Sequence, residues 1–190
     1  MATPARSTGY AALLRTPGAH RFLLPAFAAR LPYAMLGLGT VLLVHDTTGS
    51  YATAGAVAAV ASITQVVGAP LTGRWADRQG QAAVLVPCLA LHGAAVLALV
   101  ALALGHAPHP LLFAAAGLAG ATLPQIGAMV RARWIHALRD AHPETLSTAF
   151  AFESVTDELT FVLGPLLGGA LCAAVAPAAG LLTEAGLTAV

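Results

Sequence analysis

A few ionisable residues sit where charge is expensive. Arg30 lies about eight residues into a long apolar run, and Glu153 lies about eight residues into another. Eight helical residues correspond to a depth of roughly 12 Å. Asp157 and Glu158 follow Glu153 by about one turn, and Glu153 and Asp157 are four apart, on one helix face. Low dielectric penalises the charged form of a carboxyl group, which is the property a proton carrier uses. These groups therefore read either as a proton-exchanging site or as a purely structural ion pair. His92, in the middle of a third apolar run, reads as a relay or, more simply, as a packed, hydrogen-bonded histidine. Glu184 falls in a sixth run that stops at Val190 and carries no reading by itself.

Hydrolytic chemistry is poorly served. There is no Gly-x-Ser-x-Gly and no His-Glu-x-x-His, and Ser154 with His92 is the one deep nucleophile–base pair, with nothing to orient it. An intramembrane enzyme is not expected, nor is a metal or a cofactor. Cys88 and Cys172 both lie in apolar runs and give no disulfide framework.

The elements that must hold these residues are membrane helices. Of 190 residues, 58% are hydrophobic and 9% charged, with a mean hydropathy of +0.79. A soluble domain carries about 25% charged residues, so this chain has too few to cover a solvated surface. It is also too apolar for disorder. Apolar runs at roughly 22–44, 51–72, 82–104, 110–130 and 146–174 are each long enough to span a bilayer, which takes about 20 residues. A partial sixth run covers 178–190. Their Gly and Pro content suits membrane helices, and the Ala-rich stretch from Ala54 to Ala61 suits close packing. Short polar connections at 45–50, 74–81, 105–109 and 131–145 leave no room for a linker, so residues 1–190 read as a single transmembrane bundle.

Arginine placement gives an orientation. All nine basic residues are Arg. Arg6, Arg15 and Arg21 precede the first run, Arg74 and Arg78 follow the second, and Arg131, Arg133 and Arg139 follow the fourth. The alternate connections have none. The positive-inside rule then puts the N-terminus and the arginine loops in the cytoplasm of a cell with this chain in its plasma membrane. The first run is too long for a signal peptide, contains Arg30, and is followed by more runs, so it is retained. A net charge of +1 leaves no footprint for nucleic acid.

An internal repeat is visible. Leu31-Pro32-Tyr33-Ala34-Met35 matches Leu123-Pro124-Gln125-Ile126-Gly127-Ala128-Met129, and Gly68-Ala69-Pro70-Leu71-Thr72-Gly73 matches Gly164-Pro165-Leu166-Leu167-Gly168-Gly169. The proline offsets are 92 and 95 residues. Three spans per copy require the second copy to be inverted in the membrane, a recurrent transporter design.

Between the second and third spans stands Gly73-Arg74-Trp75-Ala76-Asp77-Arg78-Gln79-Gly80-Gln81. Gly73 would permit close approach of a neighbour, Gly80 a tight turn. Asp77 suits a helix N-terminus, and Arg78 an anionic headgroup or an acid. This Gly-x-x-x-Asp-Arg-x-Gly pattern resembles the signature loop of the major facilitator superfamily, although Gln81 and Ala82 stand where that family has further basic residues. Gly164, Pro165, Gly168 and Gly169 are similar to the end of the antiporter motif of the family's exporters, with Thr160 in place of an upstream glycine. Arg131-Ala132-Arg133-Trp134 and Ala151-Phe152-Glu153-Ser154 resemble actinobacterial members that export drugs and other small molecules.

The resemblance implies an all-α polytopic membrane protein: the N-terminal six-helix half of the family fold, with five complete transmembrane helices, a truncated sixth, and inverted three-helix repeats. It makes spans one and five neighbours, so Arg30 can pair with Glu153 or Asp157. It makes Gly73, Asp77, Arg78 and Gly80 a conformational latch, and Tyr33, Met35 and Gln125 candidates to line a substrate cavity, with ordinary helix packing as their alternative. The implied function is proton-coupled export of small organic molecules by alternating access, an antiporter-type efflux; uptake and a truncated, non-transporting fragment are the alternatives. The implied partners are a small-molecule substrate, protons, the lipid bilayer and a missing C-terminal six-helix half.

Overall fold

The computed structural model describes Tyr10, Leu13 and residues 19–139 and 143–188, without the side chains of 19–22 and 24. Arg6 and Arg15, and the last two residues of the partial sixth run, lie outside the described residues. The described residues form seven helices and no strand: α1 (Ala19–Thr48), α2 (Tyr51–Gln79), α3 (Gln81–Leu104), α4 (His109–Thr122), α5 (Ile126–Ala137), α6 (Pro143–Ala174) and α7 (Ala179–Thr188). Five stretches are long and apolar enough to cross a membrane; α4 and α5 together make one of them, His109–Ala137. This is a multi-pass membrane protein.

Helices extend further into the expected connections than hydropathy indicates. α1 runs on through His45 to Thr48, because Thr47 and Thr48 bond back to the carbonyls of Val44 and Leu43. Ser50 then caps α2, its hydroxyl accepting from the Thr53 amide at 3.2 Å. The expected polar loop from Arg74 to Gln81 is helix up to Gln79. One residue, Gly80, makes the whole turn at φ +91°, a conformation that glycine adopts without a Cβ penalty. Hydroxyls along the spans, such as Thr72, Thr156 and Thr160, donate to carbonyls a turn earlier, which satisfies each of them within its own helix.

The fourth apolar run, read as one span over 110–130, is two helices. Pro124 has no amide hydrogen, so Gly120 loses its usual donor. The Leu123 amide bonds to the Gly120 carbonyl instead, and residues 123–125 leave the helix. Pro25, Pro32, Pro70, Pro87 and Pro165 all lie inside unbroken helices. Leu31-Pro32, the repeat partner of Leu123-Pro124, is among them, so the dipeptide alone does not cause the break.

Glycines set the closest helix contacts. A Cβ on Gly120 would lie 1.9 Å from the Ala61 carbonyl oxygen, and one on Gly68 would lie 2.5 Å from that of Ala121, so α2 and α4 meet backbone to backbone. Ala54, Val57, Ala61 and Gly68 are the buried stripe of α2 that makes this possible. A Cβ on Gly164 would lie 2.4 Å from the Ala34 Cβ, so α6 presses on α1 in the same way. The two contacts are equivalents under the repeat: second span on fourth, fifth on first. α3 and α7 complete the bundle against α1 and α4. The main core joins Leu36, Leu43, Val57, Leu99, Leu112 and Leu181; a second, around Trp134 and Val130, lies toward the arginine-bearing end.

Candidate functional site

Arg30 projects from α1 into the space between α5 and α6. α6 offers Glu153 and Asp157 one turn apart, and α5 offers Arg131 and Trp134. Together they form one continuous chain of polar contacts. The Trp134 indole donates to Glu153 Oε1 at 2.8 Å. Glu153 Oε2 accepts from Arg30 Nη2. Arg30 Nε stands 3.3 Å from Asp157 Oδ1, within ion-pair range though not aligned as a hydrogen bond. Asp157 Oδ2 accepts from Arg131 Nη2 at 2.7 Å. Two cations face two anions, so the group is neutral as a whole.

Exposure grades along this chain. The Glu153 side chain is 0% exposed and that of Arg30 6%, whereas Asp157 is 30% and Arg131 40% exposed. Trp134 seals the inner end. The outer end opens into a cavity of about 230 Å³ lined by Tyr33, Gln125, Gly127, Asp157 and Phe161 among others. Tyr33 meets Phe161 edge-on, with ring centroids 5.6 Å apart. The helix break brings Pro124 and Gln125 to the cavity wall, and irregular backbone at membrane depth is tolerated where it lines such a space. Gly127, in the first turn of α5, borders the cluster: a Cβ there would lie in ordinary contact, 3.6 Å from Asp157 Oδ1 and within 4 Å of both arginines.

Both of the acids open to Arg30 in the sequence are its partners, Glu153 as the buried one and Asp157 as the accessible one. Glu158 does not join them: it is exposed on the open side of α6. Tyr33 and Gln125 line the cavity. Met35 does not; it is 1% exposed and packs 3.7 Å from the position a Cβ on Gly168 would take. In the kink motif, Gly164 receives Ala34, Gly168 receives Met35 and Gly169 faces Leu38, while Pro165 sits in an uninterrupted helix. At the α2–α3 junction Gly73 faces open space, and Asp77 and Arg78 are exposed.

Several participants were not apparent from sequence. Arg131 and Trp134 read as a positive-inside loop, yet α5 carries them back over the Arg30 cluster. Gly127 was visible as part of the repeat but had no assigned role. Glu184, uninterpretable alone, is the partner of His92: His92 Nε2 lies 2.6 Å from Glu184 Oε1, and Nδ1 lies 2.8 Å from the Ala119 carbonyl oxygen. The mid-span depth of His92 was the signal. Ser154 donates to the Phe150 carbonyl, so the deep serine and histidine have separate partners.

A bundle of apolar helices with a broken span, a neutralised charge chain and a cavity at its open end defines a polytopic helical membrane protein. The model of the Major Facilitator Superfamily matches residues 22–190, and the chain belongs to that family of transporters. No curated protein and no solved structure matches it. The helical architecture is that of part of the family's all-α fold.

Proposed function

We propose that this chain is the N-terminal six-helix half of a proton-coupled exporter of small organic molecules, with its N-terminus in the cytoplasm. The graded charge chain ending at Asp157 carries the reading. Asp157 is the carboxylate of that chain with access to the cavity, and we assign it as the group that exchanges protons. Glu153, sealed between Trp134 and Arg30, holds the arginine in place. Protonating Asp157 would weaken its hold on Arg131 and Arg30 and leave their donors free to engage a polar substrate beside Tyr33 and Gln125.

The cavity is smaller than the roughly 300–1,000 Å³ of a small-molecule pocket, as expected of one wall of a site shared with a second bundle. α2 and α6 support that arrangement. About 22% of the most apolar stretch of each is buried within the chain, against 50% for α1. The second half would cover these two helices, meet Glu158, and close against Asp77 and Arg78 at the α2–α3 latch. Export rather than uptake rests on the glycine face of α6.

The test is transport by the purified protein in liposomes, together with its second half, using fluorescent organic dyes and an imposed pH gradient. Dye movement driven by the gradient, abolished by Asp157→Asn and sharply lowered by Asp77→Asn, is expected. Gradient-driven movement unchanged in Asp157→Asn would remove Asp157 as the coupling group. Movement indifferent to pH would remove proton coupling.

A further inference from the structure

A second polar centre lies apart from the Arg30 chain, between α3, α4 and α7. His92 and Glu184 are both 0% exposed and are 92 residues apart in sequence. Their arrangement begins with the break at Pro124. The last carbonyls of a helix lack intrahelical donors. The Leu123 amide, which would normally serve Ala119, bonds to Gly120 instead. The Ala119 carbonyl takes His92 Nδ1 at 2.8 Å in its place, with the Thr122 hydroxyl as a longer second donor at 3.3 Å.

A carbonyl oxygen can only accept, so Nδ1 must carry hydrogen. The other ring nitrogen faces Glu184 Oε1 at 2.6 Å. Two lone pairs cannot meet at that distance, so one proton lies between them. Resting on Nε2 it makes an imidazolium–carboxylate pair; resting on Oε1 it makes a neutral imidazole and a carboxylic acid. Both forms are net neutral and differ by a movable proton. Glu184 Oε2 and the Thr40 hydroxyl oxygen on α1 are buried with no hydrogen-bond partner among the described residues. Among residues with described side chains, the other titratable groups on the surrounding helices are Cys88 on α3, His109 on α4, Arg30, Tyr33, His45 and Asp46 on α1, and Glu144, Glu153, Asp157, Glu158 and Cys172 on α6. Arg30 is already committed to Glu153 and Asp157.

We propose that His92 and Glu184 form a second proton-binding site, one that holds a single proton between Nε2 and Oε1 and through it docks α7 onto α3. Loss of that proton would leave a carboxylate with no cation of its own, in a place where an unpaired charge is strongly disfavoured. Proton occupancy and the docking of α7 are therefore linked. This site is independent of the export reading, since it makes no use of substrate or of a second half.

The experiment is ¹⁵N NMR of the whole chain, labelled in its histidine rings and held in lipid nanodiscs, with His92→Gln identifying the His92 signals. Expected are a protonated Nδ1 and an Nε2 resonance between the bare and fully protonated positions. In Glu184→Gln the amide can donate to Nε2, so that resonance should move to the bare, hydrogen-bonded position while Nδ1 stays protonated. A bare Nδ1, or an Nε2 signal indifferent to Glu184→Gln, overturns the shared proton. Hydrogen exchange tests docking. Glu184→Ala should speed exchange of α7 by about tenfold or more, the effect of losing a buried charge-assisted bond, and Glu184→Gln should restore most of the protection. Equal α7 exchange in Glu184→Ala and the parent chain overturns the docking role.

Discussion

Arg30 shows how a single residue can be both costly and indispensable. Its guanidinium is nearly buried, and it balances Glu153, which is fully buried. Taking two charges out of water is repaid only by good geometry and further hydrogen bonds. Trp134 supplies one such bond to Glu153, and Arg131 supplies another to Asp157. Replacing Arg30 alone strands a buried carboxylate. Arg30→Met should therefore destabilise the bundle by about 3–5 kcal/mol. Arg30→Met combined with Glu153→Met should lose less than the single variant, because the stranded charge is gone while Asp157 keeps Arg131. Thermal unfolding of the purified variants in detergent checks this; a double variant weaker than Arg30→Met would mean that the pair contributes mainly through packing. Both acids that could reach Arg30 were legible from their spacing on one helix face. Their division of labour was not, because exposure depends on where Trp134 and the cavity lie.

At the scale of the element, helices in this protein are joined by surfaces too small to admit a side chain. A Cβ on Gly120 or Gly164 would collide with backbone or Cβ atoms of α2 and α1, whereas one on Gly73 would meet nothing within 4 Å among the described residues. Substitution should separate the two kinds. Gly120→Val forces α4 away from α2 and should abolish a monodisperse, folded product in size-exclusion chromatography. Gly73→Ala adds a methyl group into open space and removes the backbone freedom of a glycine in a helix, so it should keep or raise stability by up to about 1 kcal/mol. If the α2–α3 junction is a latch between halves, the same Gly73→Ala change lowers transport without lowering the melting temperature. A fall in both would place Gly73 in the folding of this half. The small residues at 54–61 announced a packed face; the broken fourth span was less legible, since Leu-Pro is helical in α1 and not at 123–124.

For the whole molecule, the arginines remain the orientation signal. Both exposed ends of the α2–α3 turn lie with Arg74 and Arg78, and Asp46 lies at the opposite end of α2's partner α1. With a cysteine placed at each in turn, Gln79→Cys should react with a membrane-impermeant maleimide only from the cytoplasmic side and Asp46→Cys only from outside. Cys88 is buried and Cys172 half-buried, so parent labelling sets a low background. Reversed accessibility would invert the orientation and with it the assignment of the latch to the cytoplasm.

The sequence by itself determined that this chain is a membrane bundle, how many runs can span, which connections carry the arginines, and which charges fall inside apolar runs. Those are properties of composition and position along the chain, and lipid reads them directly. Only the tertiary structure decided which face of each helix points inward. Lipid and core are both apolar, so hydrophobic periodicity does not mark the buried face of a membrane helix as it does in water. The rotation of α3 and α7 that brings His92 to Glu184 goes with a carbonyl freed at Pro124, and Arg131 and Trp134 reach the Arg30 chain because α5 returns over it. Those contacts join residues far apart in sequence, and no local pattern encodes them.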